Sequence, residues 1–295
     1  MIVKLIQPKM EKRPMDTEIK LRMSPPLGLL TIASLLRNEH NIIIENENIE
    51  KINFNDKPDI VGITVTVDTL PRAIEIAAIY RKQGIPVVAG GIHITTVFET
   101  IPLDAFDTLC IGMAEGTWLD LMIDLKRGEL KKRYYCSTKL TGKDIVSPAY
   151  DMIDHSKYLY CNIVHTSRGC PFRCDFCYNS SGAHKFINRE IKDVINDIKA
   201  IKSKHIMFID DNFIGNPQWT IKLLKAIKPM KLKWNAAVSA DIVDMPELLD
   251  EMCDSGCQSL FIGFESINPI SLKIVHKNQN NADKYEKLIE ALHSQ

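Results

Sequence analysis

Apolar positions in the first half of the chain come in short, β-branched runs separated by amphipathic stretches. Residues 2–6, 41–45, 59–67, 85–89 and 108–111 read as five strands. None alternates strictly, which is the pattern of strands buried on both faces of a parallel sheet. Between them, residues 29–37, 70–83 and 117–126 carry helical periodicity, and the first of these opens on Pro25-Pro26-Leu27-Gly28. Strand and helix in turn predict an α/β class, with a doubly wound, Rossmann-like domain over 1–128. Residues 126–150 break the rhythm with Lys126-Arg127, Lys131-Lys132-Arg133, Gly142 and Pro148, so 129–160 is expected to be a polar linker.

The alternation then restarts. Strands are predicted at 162–166, 205–209, 233–238 and 258–264. Helices are predicted at 188–202 with Asn188 as cap, at 217–227 with Asn216 as cap and Pro217 at the first position, and at 246–255 before Gly256. The resulting βα repeats suit part of a TIM-like barrel over 161–295.

A length of 295 residues accommodates two such domains. Lys+Arg and Asp+Glu are both 37. No positive excess exists to drive binding of nucleic acid or an anionic membrane. No apolar run reaches the roughly 18 residues that span a bilayer. The start, MIVKLIQPK, lacks the features of a signal peptide, so a cytoplasmic, reducing location is expected. Eight cysteines in a chain of this kind are not expected to form disulfides.

Three of those cysteines crowd together in Cys170-Pro-Phe-Arg-Cys174-Asp-Phe-Cys177. Chance would give this spacing with a probability of roughly 0.006 at this cysteine frequency. Three thiolates can hold three irons of a cubane and leave the fourth without a protein ligand, whereas electron-carrier ferredoxins use four cysteines. A zinc site is the alternative. It needs a fourth ligand, for which His165 and His184 are the neighbours.

The run SRGCPFRCDFCYN resembles the signature of the radical S-adenosylmethionine (SAM) superfamily. The resemblance implies a [4Fe–4S] cluster on Cys170, Cys174 and Cys177, with SAM chelated to the free iron and cleaved to a 5′-deoxyadenosyl radical. It implies that Phe176 packs near the adenine. Asp210 and Asp211 resemble the acidic motif that contacts the SAM amino group, Ser239 would hydrogen-bond SAM, and Glu265 in Gly263-Phe-Glu-Ser266 would hydrogen-bond the ribose. All of these follow strands, at the end where barrel enzymes place their chemistry.

The first half resembles the cobalamin (B12)-binding module that precedes many radical SAM domains. The matching pieces are PPLGLLTIASLL, VGITVTV, VVAGGIH and IGMAEGTW. On that resemblance Thr64, Thr66, Gly90, Gly91, Gly112, Glu115 and Gly116 would ring a cobalamin crevice. The chain has no D-x-H-x-x-G, so a histidine lower ligand of that type is not expected. The resemblance implies cobalamin-assisted methyl transfer or another C–H functionalisation. It further implies a small-molecule, lipid or tetrapyrrole-like substrate and an electron donor such as flavodoxin or ferredoxin. The alternatives are a cyclase-type enzyme without cobalamin and a non-catalytic module that only binds cluster or corrinoid. The family barrel has about six βα units and four are legible here, so a fragment, a short form or a subunit completed by another chain is expected, with an open edge at its fourth strand unless something covers it.

Overall fold

Alternate residues of each strand in the first unit feed opposite faces of one parallel sheet. The computed structural model describes residues 1–295 apart from 12–13, 103, 137–138, 182–184 and 295, with only the backbone at 18, 21 and 181. It divides into a unit of Met1–Leu140 with Asp144–Cys161 and a unit of Thr141–Lys143 with Asn162–Gln295.

The strands of the first unit are β1 (Ile2–Gln7), β2 (Asn41–Asn46), β3 (Ile60–Thr64), β4 (Val87–Gly90), β5 (Thr108–Ile111) and β6 (Arg133–Tyr135). They lie in the order β2-β1-β3-β4-β5-β6, all parallel. The helices are α1 (Glu18–Leu21), α2 (Leu27–Leu36), α3 (Leu70–Lys82), α4 (Ile92–Val97) and α5 (Trp118–Arg127). Val3, Leu5, Ile60 and Val88 pack on one face with Leu29, Ala33, Trp118 and Leu121. Val61, Ile63, Val87 and Ala89 pack on the other with Ala73, Ile76, Ala77 and Tyr80. This is the doubly wound arrangement that the apolar runs predict.

The expected linker is different. Arg133–Tyr135 adds a sixth strand beside β5, and most of 129–160 belongs to the first unit. A strand of three residues is too short to register as a periodic run.

Lys4, within the apolar strand β1, is fully buried. Its ammonium pairs with Asp56 at 2.6 Å and Glu45 at 3.0 Å, over the Tyr80 ring at 5.5 Å. Burial alone would lower its pKa, but the bonds to Asp56, Tyr80 and Glu45 outweigh that and hold it above the usual lysine value.

The second unit has a parallel sheet of β7 (Ile163–Val164), β10 (His205–Phe208), β11 (Lys233–Val238) and β12 (Cys257–Ile262), in chain order across the sheet. A hairpin of β8 (Ser167–Arg168) and β9 (Ile187–Asn188) carries the cysteine loop between its strands. The helices are α6 (Ile191–Ile201), α7 (Pro217–Ile227), α8 (Pro246–Asp254), α9 (Pro269–Ile274) and α10 (Tyr285–His293). Four sequential parallel strands with intervening helices form the partial barrel expected. Asn216 caps α7 as its position predicts, accepting from Trp219 N at 3.2 Å. Asn188 does not cap α6. It pairs with Ser167 in the hairpin, and the helix begins after Glu190.

The core of this unit centres on Phe208, Phe213 and Trp234, with ring centroids 4.8–5.5 Å apart. Among the described residues β12 has a neighbour on one side only, and Phe261 on it is 77% exposed.

Arg189 holds the base of the hairpin. Its side chain is completely buried, bonded to Asp197 of α6 at 2.7 Å and to the His165 carbonyl at 2.9 Å. Arg189→Ala would leave Asp197 charged and unpaired in the interior. The expected loss is about 3–5 kcal/mol in urea unfolding, against no more than a few tenths for an exposed control such as Lys222→Ala.

Candidate functional site

The cysteine loop is fixed at its start by one carboxylate. Register places Phe208 beside Val164, so Asp210, two residues on, arrives beside the turn that leaves β7. Its Oδ1 accepts from Thr166 N at 2.8 Å, Thr166 Oγ1 at 3.1 Å, Ser167 N at 2.5 Å and Ser167 Oγ at 2.7 Å. Asp210 is buried, and that burial pushes its pKa up while the four bonds pull it down. Its Oδ2 is buried without a protein partner.

From there the chain runs through Gly169, at φ +73°, into the motif. Cys174 is buried, while Cys170 and Cys177 are partly buried, and all three thiols are free. They are close enough to feel one another. Cys170 is pushed up first by burial, then by Asp211, Cys177 and Cys174. Among the described residues no three His, Cys, Asp or Glu side chains converge as the ligands of a single ion must. A cubane spreads its thiolates over separate iron corners, so a donor set of three neighbouring free thiols fits it. His165 is buried and held neutral by its surroundings, with Nε2 unpartnered, and His184 lies outside the described residues.

The other predicted SAM residues stand at the same strand ends. Asp211 is exposed, and the Tyr178 hydroxyl donates to it. Burial and that carboxylate together raise the phenol's pKa. Ser239, after β11, accepts from Asn212 Nδ2 at 3.0 Å and donates to Asp241. Glu265, after β12, adopts a left-handed backbone with φ +60°. A non-glycine residue held there stores of order 1–3 kcal/mol of strain, a feature that gathers at functional positions. Lys277 holds its carboxylate at 3.0 Å and sits 5.7 Å from the centroid of the exposed Phe176 ring. A Cβ on Gly263 would meet Glu265 Oε1 at 2.6 Å, so glycine leaves the space into which that carboxylate folds. Phe176 and Glu265 are thus brought together by Lys277, whereas Asp210 is committed to the backbone behind the loop. Lys277 and Tyr178 carry no sequence signal, because their partners lie 12 and 33 residues away.

In the first unit a cleft opens at the strand ends where β1 and β3 diverge, the switch point of such a sheet. It is lined by Gln7, Pro26, Gly28, Leu29, Thr64, Thr66 and Thr69. Thr64 and Thr66, two of the predicted crevice residues, line this cleft. Gln7, Gly28 and Thr69 are additions that only the topology reveals. Gln7 Oε1 is buried with no partner, and a Cβ on Gly28 would meet nothing within 4 Å. An orphaned acceptor and open space fit a ligand in this cleft.

The predicted glycines divide. Gly91 at φ +101° and Gly112 at φ +96° are required by backbone conformation, and a Cβ on Gly116 would strike Cys136 Sγ at 2.3 Å. Gly90 has ordinary clearance, and Glu115 is partly buried on the turn before α5.

Residues 164–295 match the Radical SAM superfamily. The chain is 28% identical to bacteriochlorophyllide d C-12(1)-methyltransferase of Chlorobaculum tepidum, with 98% of this chain and 66% of that protein covered. It is 30% identical to bacteriochlorophyllide d C-8(2)-methyltransferase of the same organism, with 93% and 65% covered. The solved structure of TsrM, a radical S-adenosylmethionine methyltransferase from Kitasatospora setae with cobalamin and a [4Fe–4S] cluster bound, shares the fold. Its TM-score is 0.78 at 17% identity, over 99% of this chain and 65% of that one. The chain spans just under two thirds of the length of these relatives. The superfamily match thus falls on the second unit, and the chain as a whole is similar in sequence to methyltransferases that act on bacteriochlorophyllide d.

Proposed function

We propose that Cys170, Cys174 and Cys177 hold a [4Fe–4S] cluster with one iron free of protein, and that the chain is a radical SAM enzyme of the cobalamin-assisted methyltransferase type. The observation that carries this reading is the hairpin loop itself. It presents three free thiols at the strand ends of a parallel sheet, within the matched superfamily domain. When bound, the cluster supplies the electron that cleaves SAM reductively to a 5′-deoxyadenosyl radical.

The chain's own groups would bind and orient. Phe176 offers an exposed ring face for the adenine, Glu265 offers acceptors for the ribose hydroxyls, and Asp211 offers a carboxylate to the SAM ammonium. Ser239 would position SAM from the end of β11. Asp210 supports the loop from behind and keeps one oxygen unpartnered. In the first unit, the Thr64 and Thr66 hydroxyls and Gln7 would hydrogen-bond cobalamin, with Gly28 leaving room for it. Cobalamin, when bound, would carry the methyl group. The relatives' names support a tetrapyrrole-like substrate. A flavodoxin or ferredoxin would donate the electron, and the free thiols suit a reducing, cytoplasmic setting. Among the described residues no helix is long and apolar enough to cross a membrane.

Anaerobic reconstitution with ferrous iron and sulfide should give about four irons per chain and an iron–sulfur absorption band. Cys174→Ala should abolish both, and a wild-type protein that stays folded but binds no iron would refute the reading. With SAM and a strong reductant, 5′-deoxyadenosine should accumulate in the wild type and fall below detection in that variant.

The cleft makes a separate prediction. Gly28→Leu fills open space and replaces a helical glycine, so stability should hold or rise by up to about 1 kcal/mol. Its affinity for hydroxocobalamin, followed by visible absorbance, should fall at least about tenfold, or 1.4 kcal/mol, with iron content unchanged. Equal affinity in the two proteins would remove cobalamin from this cleft.

A further inference from the structure

A turn far along the chain is folded against the motif. After α9, residues 275–280 pass along three consecutive members of the cysteine loop. Asp175 N donates to the Val275 carbonyl at 3.1 Å, and His276 Nδ1 lies 2.9 Å from the Asp175 carboxylate. Lys277 lies over Phe176. Gln279 Nε2 reaches Cys174 Sγ at 3.4 Å. The turn is pinned from the other side by Asn280. Its Nδ2 donates to the Gly263 carbonyl at 2.9 Å, the Phe264 carbonyl at 3.0 Å and Tyr285 Oη at 2.9 Å. Asn280 and Lys277 are both buried, so the turn is built into the unit.

We infer that Gln279 sets the reduction potential of the cluster by donating a hydrogen bond to the Cys174 thiolate. The inference rests on the cluster reading above. As a thiol, Cys174 meets both ends of the amide, with Oε1 at 3.9 Å and Nε2 at 3.4 Å. As a metal-bound thiolate it has no proton to give and only accepts, so the N–H contact is the one that survives. A bond donated to a ligand sulfur draws off negative charge and favours the reduced, more negative state, which raises the potential. Cys174 is 5% exposed, and the low local dielectric strengthens that effect. Gln279 acts through Cys174 and is in that sense a positioning residue. Its role would be to bring the cluster within reach of a biological electron donor.

The test is a redox titration of the anaerobically reconstituted chain, followed by the electron paramagnetic resonance signal of the reduced cluster. Gln279→Leu keeps the bulk and removes the donor. Its midpoint should move negative by the equivalent of a roughly three- to tenfold less favourable reduction, up to about 59 mV for one electron. Gln279→Glu, which places a carboxylate by the sulfur, should move it further in the same direction. A merely structural role would not order the two variants this way. Unchanged potentials at full iron content would overturn the assignment while leaving the cluster intact, whereas a wild type without iron would remove the cluster reading itself. If either variant fails to load iron, wild-type protein carrying 15N in its glutamine side chains decides. A nitrogen coupling to the reduced cluster in pulsed resonance supports the bond, and its absence overturns it.

Discussion

One carboxylate oxygen organises the second unit. Asp210 Oδ1 gathers two backbone amides and two hydroxyls from Thr166 and Ser167. By doing so it fixes the point at which the chain leaves the sheet and enters the cysteine loop. The arrangement costs desolvation of a carboxylate, and the four bonds offset that cost only in part, so burial still holds the pKa above the usual carboxylate value. Arg189 anchors the returning strand of the hairpin in the same way, through a buried ion pair with α6. The loop therefore hangs between two internal charged groups, Asp210 at its start and Arg189 at its return. The thiols need not be held individually, because both ends of the segment that bears them are held.

The same economy appears in the first unit. Lys4 is the buried cation there, and Asp56 and Glu45 neutralise it below the core strand. At the other end of the strands the chain leaves a cleft whose polar lining is incompletely bonded, with Gln7 Oε1 the clearest case. Core positions are satisfied from within, while the strand ends keep unpaired acceptors. That contrast separates groups that hold the fold from groups available to a ligand.

How much of this could be read from the amino-acid order depended on the range of each interaction. The sheets were legible because unbroken apolar runs such as 60–63 and 87–89 report burial on both faces. The cysteine triplet was legible because its spacing is local. The sixth strand was not, since Arg133–Tyr135 has one buried position in three and takes its identity from pairing with β5. Asn188 misled because an Asn before an amphipathic run looks like a cap, and pairing with Ser167 prevailed. Among the predicted glycines, Gly91, Gly112 and Gly116 turned out to answer to their own backbone or to Cys136, and Gly28, unremarked as a ligand contact in the sequence, has the open surroundings. Lys277 and Gln279 were invisible, since their meaning lies in partners on a loop about a hundred residues earlier.

The free side of β12 has one more consequence. Its outer amides and carbonyls lie next to an aromatic side chain turned to water, the combination that recruits another polypeptide by strand addition. Self-association of this chain in concentrated solution would then begin at that rim, and its colloidal behaviour would be governed by a surface remote in sequence from the cysteine triplet.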